Sequence, residues 1–184
     1  NNVVIGFSAL AGIEAVDAAA FTGVKLSATA AAETVDLSGI AFTGTVTIDA
    51  GSGNDTIIGS LGNDRIDLGS GNDVVSGGDG DDTFLARTGV GVDAVDGGIG
   101  YDRILATAAS TNITLSSFTG IEEISSGGFA GVKMTGTALA DIIDLSGVLL
   151  SGIDQVSGGA GNDSIIGSTG GDRLLGGTGL DTLT

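Results

Sequence analysis

Four aspartates lie nine residues apart near the middle of the chain: Asp55, Asp64, Asp73 and Asp82. Each follows a glycine by two residues and precedes an apolar side chain by two. Glycine adopts backbone angles that other residues avoid, so a glycine-rich turn lets backbone carbonyls converge. Carbonyl and carboxylate oxygens are the ligands that a hard cation such as Ca²⁺ prefers. The spacing therefore predicts calcium-binding turns that alternate with very short strands.

The same frame continues along the chain after a two-residue insertion. It includes Asp93 and Asp102, and it returns near the end with Asp163, Asp172 and Asp181. A looser copy surrounds Asp154 in L-L-S-G-I-D-Q-V-S. A single G-x-G-x-D would be weak evidence, whereas a run in constant frame indicates a repeat architecture.

This run resembles the RTX nonapeptide family, G-G-x-G-x-D-x-U-x with U apolar. The resemblance implies an all-β fold, a right-handed parallel β-roll or β-solenoid built from nonapeptides, with less regular solenoid turns between the calcium blocks. It also implies several bound Ca²⁺ ions. In such a roll, successive loops lie at opposite edges, so each loop stacks on the loop two repeats away. We therefore expect Asp55 beside Asp73, Asp64 beside Asp82, and Asp163 beside Asp181.

The candidate calcium ligands are the loop aspartates, together with the loop glycines that would contribute carbonyls. They are Gly51, Gly53, Asp55, Gly59, Gly62, Asp64, Gly69, Gly71, Asp73, Gly77, Gly78, Gly80, Asp82, Asp93, Gly97, Gly98, Gly100, Asp102, Asp154, Gly158, Gly159, Gly161, Asp163, Gly167, Gly170, Asp172, Gly176, Gly177, Gly179 and Asp181. The alternative is a set of acidic turns without metal, since Asp and Asn favour turns. Substitutions such as Ser60, Leu68 and Ser168 depart from the family pattern and are expected to weaken individual sites.

A longer period lies over the short one. Gly12-Ile13-Glu14 recurs as Gly120-Ile121-Glu122, and the stretch 1–76 aligns without a gap on 109–184, with many identical pairs. We predict a first unit at 1–108, with an irregular solenoid part at 1–45 and a calcium block at 46–105. The second unit at 109–184 has the corresponding parts at 109–153 and 154–184. Because stacked repeats need neighbours or caps, we expect a segment of a longer tandem array. A single duplication is the alternative.

Composition points to a thin, ordered core. The chain has 35 glycines and no proline, and 41% of its residues are apolar but only 4% aromatic. This predicts stacked Ile, Val and Leu side chains. The alanine-rich stretch at 15–20 favours a helix by propensity, but the equivalent stretch at 123–128 does not. We expect solenoid turns throughout, with a short helix near 12–20 as the alternative.

The net charge is −17. Nucleic acid is an unfavourable partner for such a surface, because its phosphates are repelled. Without cations, stacked aspartates repel one another, so the loops are expected to order when calcium binds. There is no cysteine for a disulfide. No apolar stretch is long enough for membrane insertion, and no N-terminal signal peptide is visible.

Catalysis within this segment is not expected. Without histidine, neither a Ser-His-Asp triad nor a histidine zinc site can form. Arg65, Arg103 and Arg173 follow loop aspartates and form either an acid–base ladder or exposed solubilising charge. Lys25 and its counterpart Lys133 either contact a neighbouring module or pack along Phe21 and Phe129.

The sequence thus predicts a calcium-binding structural module, a stalk, filament or surface-layer component. By the resemblance we expect a secreted, extracellular or bacterial cell-surface protein. Its expected partners are calcium and other copies of itself, end to end or side by side. The alternatives are the extender region of a large RTX adhesin and the calcium-dependent folding and secretion module of an RTX enzyme or toxin.

Overall fold

The computed structural model describes residues 3–6, 15–17, 24–89 and 91–184. In these ranges every regular element is a β-strand, and every strand pairing is parallel. The expected all-β solenoid is therefore confirmed, and it has about eight turns. Ala15–Asp17, inside the stretch considered for a helix, is a strand. Residues 12–14 and 18–20 lie outside the described residues. No described segment forms a helix that could cross a membrane.

Two eight-stranded sheets form the faces of the solenoid. In spatial order, the first sheet contains β1 (Val3–Gly6), β3 (Val24–Ser27), β6 (Val46–Asp49), β8 (Arg65–Asp67), β10 (Thr83–Ala86), β12 (Arg103–Ala106), β14 (Glu123–Ser125) and β17 (Leu149–Ser151). The second contains β4 (Thr34–Asp36), β7 (Thr56–Ile58), β9 (Val74–Asp79), β11 (Asp93–Ile99), β13 (Asn112–Thr119), β15 (Lys133–Thr135), β18 (Gln155–Ala160) and β20 (Leu174–Thr178).

Two smaller parallel sheets complete the strand pairings of the described residues. One contains β16 (Ile142–Asp144), β19 (Ser164–Ile166) and β21 (Thr182–Leu183), and the other contains β2 (Ala15–Asp17) and β5 (Ala41–Thr43). The long repeat is visible in the pairings. Val16 pairs with Phe42 in the first unit, and their counterparts Ile124 and Leu150 pair in the second. The unit boundaries themselves remain a prediction.

The length of a turn follows from the sequence repeat. Ile48 pairs with Ile66 and Ile66 pairs with Phe84, so each of these turns takes two nonapeptides. The turn from Phe84 to Ile104 is longer, because it contains the two-residue insertion. The loop two repeats away is thus the stacking neighbour, as the sequence predicted.

The core is a thin column of aliphatic side chains between the two main sheets. Leu26, Ile48, Ile66, Phe84 and Ile104 occupy one continuous register row, and all are fully buried. Each buried side chain of this size contributes about 1.5–3 kcal/mol relative to exposure. The apolar residue of the nonapeptide therefore supplies the core. Leu183 in the last strand is an exception, since it is 44% exposed.

Candidate metal centre

The turns between strands bring the repeated aspartates to the edges of the solenoid. We number each turn from 1 to 6, so that the aspartate is at position 6. The first edge carries the loops 50–55 and 68–73 and the loop that ends at Asp93, and the second edge carries 59–64, 77–82 and 97–102. A third edge, near the end of the chain, carries 136–141, 158–163 and 176–181.

Four loops have glycine at positions 1 and 2, and we call them open loops: 77–82, 97–102, 158–163 and 176–181. In them the preceding strand continues into the loop, and consecutive loops pair through Gly78–Gly98 and Gly159–Gly177. The position-2 glycines have φ of 102–110°, which other residues rarely adopt. The loop backbones therefore stack directly on each other.

An open loop encloses a small space beside its first glycine. A Cβ atom added to Gly77 would lie 2.6 Å from the carbonyl oxygen of Gly97 and even closer to Oδ2 of Asp82. One added to Gly158 would lie 2.5 Å from the carbonyl oxygen of Gly176 and closer still to Oδ2 of Asp163. Only glycine leaves this space open. It lies between a carbonyl oxygen of the next turn and a carboxylate oxygen of the same turn.

The carboxylate oxygen beside that space has no hydrogen-bond partner. Oδ2 of Asp82, Asp102 and Asp163 is buried and unpaired, and the three residues are at most 2% exposed. An unpaired buried carboxylate oxygen is costly, because water no longer solvates it. A cation bound there would remove this cost.

The first edge is built differently. In its first two loops position 1 is Ala50 or Leu68, both buried in the core, and strands β6 and β8 end before it. The position-2 glycines, Gly51 and Gly69, have φ of 81° and 73°. Oδ2 of Asp55 and Asp73 is again buried and unpaired. This edge keeps the aspartates but lacks the open space beside a first glycine.

In a third kind of loop, which we call closed, a hydroxyl residue at position 2 bonds the carboxylate four residues later. Ser60 donates to Asp64 from its backbone N–H at 2.6 Å and from its hydroxyl at 3.1 Å. The same two bonds join Ser168 to Asp172 and Thr137 to Asp141. Thr29 bonds Glu33 in the same way. These carboxylates are satisfied by their own loop.

Hydrogen bonds along the edges join the aspartates into ladders. The N–H of Asp55 donates to Oδ1 of Asp73 at 2.8 Å, and the N–H of Asp64 donates to Oδ1 of Asp82 at 2.7 Å. Asp163 donates likewise to Asp181 at 3.0 Å. The three predicted pairs are therefore neighbours. The ladders continue from Asp73 to Asp93 and from Asp82 to Asp102.

A second ladder, which the sequence analysis missed, runs through position 5. Oδ1 of Asn54 accepts the N–H of Asn72, and Oδ1 of Asn63 accepts the N–H of Asp81. These acceptors belong to the earlier turn, whereas the aspartate acceptors belong to the later one. Each turn thus donates a hydrogen bond to the next turn at position 6 and accepts one from it at position 5. The recurrent Asn before the aspartate was the available signal.

Burial makes these carboxylates difficult to ionise without a cation. The pKa of Asp82 is raised to about 7, mainly by desolvation and also by the negative charges of Asp64, Asp102 and Asp81. Desolvation also raises the pKa of Asp93 to about 6. The pKa values of Asp55, Asp64, Asp73 and Asp102 are raised for the same leading reason.

Two ion pairs in the described part of the chain lie beside the first edge. Lys25 pairs with Asp49, and Arg87 pairs with the buried Asp67. Lys25 thus contacts the next turn of the same solenoid, an arrangement that the sequence analysis did not foresee. Asp49 has no acidic counterpart in the second unit, where Ser157 stands. Arg103 donates to the Thr83 hydroxyl at 3.1 Å, and Arg103 and Arg173 are exposed.

Some candidate ligands are placed apart from the ladders. Asp154 is exposed, and its N–H donates to the carbonyl of Val132 rather than to a carboxylate. Gly62 and Gly170, both in closed loops, have no positive φ, and a Cβ atom added to either would meet no atom of another turn within 4 Å. The metal role of these three residues stays a prediction.

Comparison with known families agrees with this geometry. The sequence pattern of the RTX calcium-binding nonapeptide repeat matches residues 49–84 and 150–183, with 4 copies. These two stretches are therefore RTX calcium-binding nonapeptide repeats. No curated protein and no solved structure gives a significant match to the chain. Residues 85–105 lie outside the matched ranges, but they continue the aspartate ladders of the RTX repeats.

The RTX loops fit a hard cation in their donor chemistry. Among the described residues no group of three or more His, Cys, Asp or Glu side chains could hold a metal ion. The open loops offer a different donor set, in which one buried carboxylate oxygen lies beside a backbone carbonyl of the next turn. Calcium accepts both kinds of oxygen. Which of the candidate residues bind an ion stays a prediction.

Proposed function

We propose that this segment is a calcium-stiffened structural module of a secreted bacterial cell-surface protein, such as a stalk, a filament or a surface-layer component. The observation that carries the proposal is the row of buried, unpaired Oδ2 atoms in stacked RTX loops. Bound calcium would be the positively charged partner that these carboxylate oxygens lack. Export is a coarse expectation for this family, since RTX repeat proteins are typically secreted by type I systems.

The residues of the open loops explain how calcium would stiffen the solenoid. Oδ1 of Asp102 already holds the N–H of Asp82 on the previous turn, which leaves Oδ2 available. A cation beside Gly97 would therefore contact a carboxylate that is also tied to the neighbouring turn. Because the unfolded chain has no such arrangement, binding energy would become folding energy.

Self-association is part of the proposal. Where a parallel stack ends in an unpaired strand, its backbone groups pair readily with other chains. End-to-end contact between copies would continue the solenoid. Side-by-side contact through calcium on the acidic edges is the other arrangement.

Two alternatives share the calcium chemistry. The segment would be an extender in a large RTX adhesin, or the calcium-dependent folding and secretion module of an RTX enzyme or toxin. The fold of the segment, a calcium-binding repeat β-solenoid, is of a structural rather than a catalytic type. The alternatives differ from the main proposal in whether calcium makes copies associate.

The test is a calcium titration of the segment, followed by far-UV circular dichroism and by sedimentation on the same samples. A cooperative gain of β-structure with growth in particle size supports the filament or lattice. A gain without growth favours the extender or secretion module. Full structure in chelator, unchanged by calcium, would overturn the calcium-ordering proposal.

A matched pair of variants connects the titration to the loops. Asp82→Asn removes a buried charge beside the open space, and Asp79→Asn removes an exposed charge three residues earlier. We expect the first variant to shift the calcium midpoint to higher concentration. We expect the second to leave the midpoint near that of the parent protein.

A further inference from the structure

On the second edge, the row of RTX loops is followed by one more turn, which does not have the nonapeptide pattern. The last open loop of the first block is 97–102, and the next turn on the same edge is the short segment Thr119-Gly120-Ile121-Glu122. We infer that Gly97, Asp102, Gly120 and Glu122 form a calcium site that joins the two long repeat units. The inference rests on the proposed calcium binding of the RTX loops.

The space beside Gly97 has the same borders as the spaces in the RTX block. A Cβ atom added to Gly97 would lie 2.6 Å from Oδ2 of Asp102 and closer still to the carbonyl oxygen of Gly120. In the preceding loop, the space beside the first glycine has the same two borders, Oδ2 of Asp82 and the carbonyl oxygen of Gly97. Gly120 has φ of 58°, and its own added Cβ would lie 2.8 Å from the backbone nitrogen of Gly98. The turn thus needs glycine in order to approach.

Glu122 takes the place of the next aspartate in the ladder. Its Oε2 accepts the N–H of Asp102 at 2.7 Å, as Oδ1 of Asp102 accepts the N–H of Asp82. The turn from Gly120 to Glu122 is shorter than the RTX loop. The additional methylene of glutamate compensates for part of this shortening. The N–H of Glu122 donates back to the carbonyl of Asp102 at 2.9 Å, which fixes the two turns together.

An independent observation indicates that a ligand belongs in this space. Asp102 is fully buried, and its Oδ2 faces the space without any hydrogen-bond partner. The surrounding charge is negative, since Glu122, Asp81 and Asp96 all act electrostatically on Asp102. A divalent cation matches both the unpaired oxygen and this charge. The site uses residues on both sides of the predicted boundary between the units 1–108 and 109–184, so calcium there would fix one unit on the next.

The chain offers a local reporter for this site. Tyr101 is the only tyrosine and there is no tryptophan. It precedes Asp102 directly, and the neighbouring open loop lies one strand spacing away, about 4.8 Å. Terbium, a luminescent substitute for calcium, would be sensitised by Tyr101 when it is bound in these two loops. More distant loops would contribute little to that signal.

The test compares Glu122→Gln with Glu123→Gln, which removes the same charge from the next residue. The measurements are the number of Ca²⁺ ions bound in native mass spectrometry and the Tyr101-sensitised terbium emission. We expect Glu122→Gln to bind one ion fewer than the parent protein and to lose part of the emission. We expect Glu123→Gln to match the parent in both.

Each other outcome has a defined meaning. If Glu122→Gln keeps the full ion count and emission, the inference is overturned, while calcium binding by the RTX loops stands. If the parent protein binds no calcium, both proposals fail. If Glu122→Gln loses several ions, Gly97→Ala decides, because it fills the space without removing a charge: loss of an ion supports the site, and an unchanged count overturns it.

Discussion

The first and second edges of the solenoid carry the same aspartate ladder on different loop backbones. At the second edge, Gly77 and Gly97 leave a space between a buried carboxylate and a carbonyl of the next turn. At the first edge, Ala50 and Leu68 stand at the corresponding position and join the core. The aspartate is therefore not sufficient to define a site, since position 1 decides whether a space is present.

The two edges also differ in where positive charge comes from. Lys25 and Arg87 pair with acids immediately before the loops of the first edge. The part of the chain that the structure describes has no such ion pair at the second edge. Acids next to the first-edge loops are thus neutralised by the protein's own side chains, and we expect the second edge to depend on an added cation.

The largest expected effect comes from filling a space at the second edge. Gly77→Ala places a methyl group against Oδ2 of Asp82 and the carbonyl of Gly97. We expect this variant to lose the gain in the free energy of unfolding that calcium binding at this site provides. That gain is about 2.7 kcal/mol at a calcium concentration 100 times the Kd. Chemical denaturation with calcium and with chelator measures this gain. Gly39→Ala is the control, because a Cβ at Gly39 has no neighbour within 4 Å. Equal calcium gains in both variants would contradict the prediction.

The next effect is a pH dependence of the metal-free protein. The pKa of Asp82 is raised from 3.8 to about 7, so the fold binds this proton more tightly than the unfolded chain does. The resulting stabilisation is complete below 3.8 and is lost as the pH rises through about 7. In chelator we expect the denaturation midpoint to decrease as the pH rises from about 5 to about 8. The decrease should be smaller in Asp82→Asn. With saturating calcium the trend should reverse, because protons and calcium compete for the carboxylate. A midpoint that rises with pH in chelator would refute the assignment.

A smaller effect is expected from the built-in cation of the first edge. Arg87→Gln leaves Asp67 buried without its partner. Because Arg87 is itself half exposed, we expect a loss of about 1–2 kcal/mol, well below the cost for a fully buried pair. Urea denaturation checks this value. Arg103→Gln removes an exposed arginine of the second edge, and a loss as large as that of Arg87→Gln would argue against the difference between the edges.

The smallest effect concerns the closed loops. Ser60→Ala removes the hydroxyl that bonds Asp64 and Gly62, and we expect a loss of about 1 kcal/mol. Ser76→Ala, on a strand, is the control. Calcium binding should be nearly unchanged in both variants, because the backbone N–H of Ser60 still bonds Asp64. A large change in bound calcium on Ser60→Ala would show that the closed loops are metal sites as well.

Much of this architecture could be predicted from residue spacing. The nonapeptide period placed Ile57 and Ile66 in the core and Asp55 beside Asp73, because two nonapeptides complete one turn. It did not predict that Ser60 would close the Asp64 loop, since that bond depends on the loop backbone rather than on the repeat. It also did not predict the pairing of Arg87 with Asp67, which lie on successive turns and meet only because the turns stack.

The sequence by itself, through its nine-residue repeat and its resemblance to the RTX family, determined the all-β solenoid, the stacking of the nonapeptide loops and the rows of aspartates. The tertiary structure alone decided which carboxylates keep a free oxygen. That property depends on whether a hydroxyl, an arginine or another turn lies beside each carboxylate. Glu122 shows the difference most clearly, since it reaches the aspartate ladder from a turn that has no nonapeptide pattern.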